Sequence, residues 1–62
     1  MAPPWKSVFE ELPTNGQIVW VRVVNYYGEP VLAEFISIKK EFKSIDTQIK
    51  FPTYNVARWR PQ

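Results

Sequence analysis

From Gly16 to Ile38 the chain twice follows the two-residue period of a β-strand, with a turn between the runs. The first run, residues 17–26, sets Val19, Val21 and Val23 on one face and Ile18, Trp20, Arg22 and Val24 on the other. Tyr27-Gly28-Glu29-Pro30 supplies turn chemistry. The second run, residues 31–39, sets Ala33, Phe35 and Ser37 against Leu32, Glu34, Ile36 and Ile38. β-Branched and aromatic residues on both sides of a turn predict an antiparallel hairpin. Arg22 and Glu34 mark the wetter face, so Val19, Val21, Val23, Ala33 and Phe35 are expected inside. Neither face of the first strand is cleanly polar, which predicts cover on both sides for most of its length. Trp20, Ile36 and Ile38 are the residues that then need a cover.

The flanks look like material that closes this hairpin. Residues 1–4 form an extended tail with two prolines, and residues 5–13 a docking segment anchored by Trp5, Val8, Phe9 and Leu12. Ser7 with Glu10 three residues on has the spacing of a capping box, and Pro13 stops any helical turn that starts there. Thr14-Asn15-Gly16 reads as a turn into the first strand. It allows the docking segment to fold back over the Trp20 face, which a second copy of the chain could cover instead in a homodimer. Residues 40–45 have no clean period and read as a third strand or a bent strand end. Asp46-Thr47 suits a turn, residues 47–51 alternate around Ile49, and Pro52 breaks that run. Residues 54–60 form a last strand, with Val56, Arg58 and Arg60 on one side and Ala57 and Trp59 on the other, until Pro61 ends it. Four to five short strands over residues 17–60 predict a single, mainly β domain. It is a small antiparallel meander or partly open SH3-like barrel with a short N-terminal turn or helical segment.

Size sharpens this picture. A chain of 62 residues buries only about 60% of its unfolded surface, and with no cysteine it has no disulfide to help. Three Trp, three Tyr and four Phe supply the core instead. No run approaches the ~20 apolar residues of a membrane span, and the start, Met-Ala-Pro-Pro-Trp-Lys, lacks an apolar signal core. A soluble, cytoplasmic protein is expected. Without histidine or cysteine, imidazole and thiolate metal sites are excluded, and Ser7, Ser37 and Ser44 have no histidine to activate them. The two glycines lie too far apart to make a phosphate loop. The reading is therefore a protein that is not an enzyme, with no cofactor and no metal.

Charge and aromatics nominate the candidate binding residues. The net charge is +2, but residues 1–31 carry two basic and three acidic side chains, whereas residues 32–62 carry six and three. Lys39, Lys40, Lys43, Lys50, Arg58 and Arg60 in the basic half are a candidate nucleic-acid footprint. The same residues also serve simply to keep a β-protein soluble and to protect its edges. Tyr26 and Tyr27 at the hairpin tip, Tyr54 after a proline-containing loop, and Trp20 are the candidate protein-binding residues. Aromatics on the loops of a small barrel can cage a methylated lysine or stack on bases, and they equally act as lids on barrel ends. The stretch Trp20-Val21-Arg22 after Gly16 resembles the first strand of Tudor and PWWP modules over about 20 residues.

A longer resemblance joins the two ends of the chain. Trp5-x-Ser7-Val8, Leu12-Pro13, Gly16-x-x-Val19, Ala33-x-Phe35 and Val56-x-x-Trp59-x-Pro61 together resemble a family of small phage and prophage proteins catalogued as a domain of unknown function. Members open with Trp-x-Ser-Val and Leu-Pro and close with Trp-x-Pro, usually with a histidine just before that tryptophan. Here Arg58 stands in the histidine's place, so a role for that histidine does not carry over. The resemblance implies a phage or prophage origin and a small β-fold, and implies no activity. Physically, the motif positions read as structural: Trp5 and Trp59 are expected to close the core from both termini. The leading expectation is a non-enzymatic protein-binding or adaptor module in a bacterial host cell, acting on host machinery through an unidentified protein partner as a monomer or homodimer. The alternative is a weak nucleic-acid-binding module that uses the basic half.

Overall fold

The computed structural model describes residues 4–25 and 28–62. Its strands are β1 (Lys6–Ser7), β2 (Ile18–Val23), β3 (Val31–Ile36), β4 (Glu41–Ser44), β5 (Lys50–Pro52) and β6 (Val56–Pro61), with a 3₁₀ turn over Thr53–Asn55 just before β6. They form one open antiparallel sheet in the order β1-β6-β2-β3-β4-β5. The predicted meander is β2 to β5. The 3₁₀ turn then carries the chain across from the β3–β4 turn, where the Thr53 amide donates to the Lys40 carbonyl at 3.1 Å. It arrives at the end of β2, where the Val24 amide donates to the Asn55 carbonyl at 2.7 Å. β6 therefore returns beside β2, and β1 adds a sixth, two-residue strand at its outer edge.

A sheet with no second layer can hide its apolar face only by curling around it. The enclosed side holds Val19 and Val21 from β2, Ala33 and Phe35 from β3, Phe42 from β4, and Val56 and Trp59 from β6. Val8, just after β1, joins the same cluster, and Val23, Val31 and Phe51 pack against it. The faces expected for the first hairpin are those observed. Phe35 and Phe42 face each other in register, with ring centroids 5.1 Å apart and planes tilted by 49°, a geometry that aromatic quadrupoles favour.

Several expectations need correction. The docking segment does not lie over the Trp20 face. Val8 belongs to the core cluster, Pro13 is buried, Phe9 is 86% exposed, and Trp5 reaches the opposite face beside Arg22 and Arg60. The short turn expected in this segment is present: the Glu10 and Glu11 amides both donate to the Ser7 carbonyl at 3.1 Å, and the Phe9 amide donates to Ser7 Oγ at 3.2 Å. Trp5 and Trp59 do not share a core. The Trp59 indole is buried, and its Nε1 donates to the Glu11 carbonyl at 2.9 Å, tying the last strand to the N-terminal segment. β3 stops at Ile36, which leaves Ile38 in the following turn at 89% exposure. Val56 lies on the same side as Trp59, because the register with β2 slips by one residue at Arg22/Val23 and leaves Ala57 as the extra residue of a β-bulge.

The entry to β2 depends on one backbone conformation. Gly16 has φ +82°, and its amide donates to the Phe35 carbonyl at 2.8 Å. The neighbouring Asn15 Oδ1 accepts from the Ser37 amide at 3.0 Å. A Cβ on Gly16 would meet nothing within 4 Å, so the cost of Gly16→Ala is purely conformational. It is expected to destabilise the fold by about 1 kcal/mol. A lower urea midpoint with an unchanged denaturant slope would show this.

Candidate functional site

The sheet leaves one end of its enclosed face open. At that end the β2–β3 turn and the β4–β5 loop stand apart over the partly buried Val23, Val31 and Phe51, forming a cleft of about 470 Å³. Pro30 from the turn and Ile49 from the loop complete its apolar wall. Glu29 and Asp46 are the charged residues that line it, and both are acidic.

Ser44 shapes the loop side. It ends β4 with its side chain turned inward and only 3% of its surface exposed. Its Oγ accepts from the Thr47 amide at 3.3 Å and from Thr47 Oγ1 at 3.0 Å. The Ser44 amide donates to the Ile49 carbonyl at 2.8 Å, and the Gln48 amide to the Ser44 carbonyl at 3.1 Å. Gln48 takes the left-handed conformation, φ 63°, that closes this loop. These bonds hold Asp46, Thr47 and Ile49 over the cleft. The two hydroxyls are engaged with each other and stand by no imidazole or thiol, since the chain has none. Among the described residues no group of three or more acids is placed to hold a metal ion, and no helix is long and apolar enough to cross a membrane.

The outer face of the sheet has the opposite character. By register, Ile18, Trp20 and Arg22 of β2 share the outer face with Arg58 and Arg60 of β6, Leu32, Glu34 and Ile36 of β3, Glu41 and Lys43 of β4, and Lys50 of β5. Register brings like charges together there. Arg22 stands directly opposite Arg58, and Lys43 directly opposite Lys50. Trp5 sits beside the first pair, with the Arg60 guanidinium 5.1 Å and the Arg22 guanidinium 5.3 Å from its ring centre. Among the described residues none of these five cations is in an ion pair, the Lys6–Glu11 contact at 3.2 Å involving neither them nor Glu34 and Glu41.

The sequence-nominated residues therefore separate. Lys43, Lys50, Arg58 and Arg60 share the outer face, whereas Lys39 and Lys40 lie in the exposed β3–β4 turn. Trp20 is half-buried on the outer face, in register with Arg60 and Leu32. Tyr54, on the 3₁₀ turn, is 74% exposed and does not line the cleft. Tyr26 and Tyr27 fall outside the described residues. Sequence reasoning left Arg22 out of the basic set because it counted that residue with the acidic half, read Trp5 as a docking and core residue, and did not find the cleft, whose walls lie far apart along the chain. The Glu29-Pro30 and Asp46-Thr47 turns were the available signal. Comparison with protein-family models, with curated proteins and with solved structures finds no match to this chain.

Proposed function

We infer that this is a non-enzymatic protein-binding module, an adaptor of phage or prophage type working in the cytoplasm of a bacterial host. Its ligand is a short apolar peptide segment that carries a lysine or arginine. The observation behind this reading is the cleft: five apolar residues form its wall, its charged lining residues are Glu29 and Asp46, and its volume of about 470 Å³ lies in the range of ligand pockets. An apolar side chain would leave water against Val23, Val31, Ile49 and Phe51, while a neighbouring cation would meet the acidic rim. The Trp5-x-Ser7-Val8 and Trp59-x-Pro61 motifs support the phage assignment. These residues support the fold: Val8 and Trp59 belong to the core.

Selection of a displayed random-peptide library on the protein tests the reading. Enriched peptides are expected to combine aliphatic residues with lysine or arginine, and their titration should shift the amide resonances of Val23, Val31 and Ile49. Ile49 is 54% exposed, so Ile49→Asp should fold normally and lose the enriched peptides. Enrichment of acidic peptides, or retained binding by Ile49→Asp, would overturn the assignment.

A further inference from the structure

We propose that the outer face of the sheet is a second binding site, one for single-stranded nucleic acid, centred on Arg22, Arg58 and Arg60 with Trp5 and Trp20 beside them. Like charges directly opposite on neighbouring strands repel and weaken a sheet, yet this face carries two such pairs, Arg22 with Arg58 and Lys43 with Lys50. No carboxylate bridges either pair among the described residues. Five cations share the face with two acids, Glu34 and Glu41. Lys43 also has Glu34 directly opposite on its other side, but Arg22 and Arg58 have no acid opposite them. A local cost of that kind is expected where a ligand supplies the partner, and here the partner is an anion.

Arg60 adds a second observation. Its Nε is shut away from solvent and has no hydrogen-bond partner, while its guanidinium packs on Trp5. The indole thus holds the guanidinium in one place, ready to present its remaining N–H donors, and fork-shaped donors suit phosphate oxygens.

The surroundings choose among anionic ligands. Trp20 lies in register with Arg60 on one side and Leu32 on the other, and Arg60 packs on Trp5, so a cation stands between two indoles on this face. Cations interleaved with aromatic platforms match a strand whose phosphates and exposed bases alternate in the same way. Arg58 and Arg60, two residues apart on one strand, stand ~6.6 Å from each other along it, comparable with the step between phosphates of an extended single strand. A duplex hides its bases and offers Trp20 nothing to stack on. This site lies on the side of the sheet away from the cleft and does not depend on the peptide reading.

The test is fluorescence anisotropy of labelled oligo(dT), oligo(rU) and a mixed-sequence duplex against the full chain over a salt series. Single strands are expected to bind better than the duplex, with affinity falling steeply as salt rises. Arg22→Gln and Arg58→Gln should each lower the slope of log affinity against log salt by about 0.7, the value for one phosphate contact on a single strand. Because Arg58→Gln also removes a like-charge pair, it should not lower the urea midpoint. Lys39→Gln, in the turn off this face, should leave the slope unchanged. Tighter binding of the duplex, no binding of single strands at low salt, or equal slopes for Arg58→Gln and the parent chain would each overturn the proposal.

Discussion

Phe42→Ala is expected to leave the chain largely unfolded at room temperature. Phe42 is fully buried, stands opposite Phe35 on β3 and Phe51 on β5, and tilts against the Phe35 ring. It therefore joins the two halves of the meander through one side chain. Truncating a buried Phe costs about 3–5 kcal/mol, and losing the aromatic pair adds about 0.5–1.5 kcal/mol. At roughly 0.05–0.15 kcal/mol per residue, a domain of this length has only ~3–9 kcal/mol to lose. Phe35→Ala should behave in the same way, since Phe35 is 2% exposed in the same contact. Loss of the cooperative urea transition followed by tryptophan fluorescence would demonstrate it. A Phe42→Ala protein that melts within a few degrees of the parent would place the centre of the core elsewhere.

Trp59 carries the second large effect, and two substitutions separate its parts. Trp59→Ala removes a side chain 2% exposed that lies in register with Val21 on one side and Lys6 on the other. A cost of about 3–5 kcal/mol follows. Trp59→Phe keeps an aromatic ring in the core but loses the indole N–H that bonds the Glu11 carbonyl. Because Glu11 is exposed, its carbonyl can turn to water, so the hydrogen bond itself should account for only about 1 kcal/mol. The two variants should also differ in where they loosen. Trp59→Phe is expected to leave β2 to β5 intact and free the N-terminal segment, seen as faster amide exchange at Glu10 and Glu11 and earlier proteolysis before Pro13. Global exchange rising equally in every strand would mean that the bond to Glu11 is not what fastens the segment.

The hairpin was legible because its signal is local. Val19, Val21, Ala33 and Phe35 alternate with neighbours among which Arg22 and Glu34 mark the outer side, and that local pattern picks out the buried face. β4 was legible only as a third strand or a bent strand end, with no face assigned, for the same reason in reverse. It spans four residues, alternates between Phe42 and Ser44 on the inside, and Ser44 carries no apolar mark to betray its burial. In β6 the alternation is present but broken: the extra residue at Ala57 puts Val56 and Trp59 on one side although three positions separate them. Only pairing with β2 reveals such a slip. The outer cationic face is a product of register in the same sense. Arg22 belongs to the acidic half of the chain by position, and it acquires Arg58 as a neighbour only when β6 lies down beside β2.

The place of β6 also sets the order in which the molecule can form. Of the six strands, the last in chain order is the one that lies between β1 and β2. Until it arrives, a nascent chain holds a meander whose β2 edge is bare and an N-terminal segment with nothing to pair with, because both wait for the same strand. Val21 must find Trp59 across 37 intervening residues, and the entropy of closing that loop has to be met before the contact returns any stability. Folding should therefore be a single late event in which β6 inserts, with little stable structure before it. During the wait Arg22 guards the open edge, since a charge on a bare strand discourages pairing with a neighbouring chain. The side chain that strains the finished sheet would then protect the unfinished one.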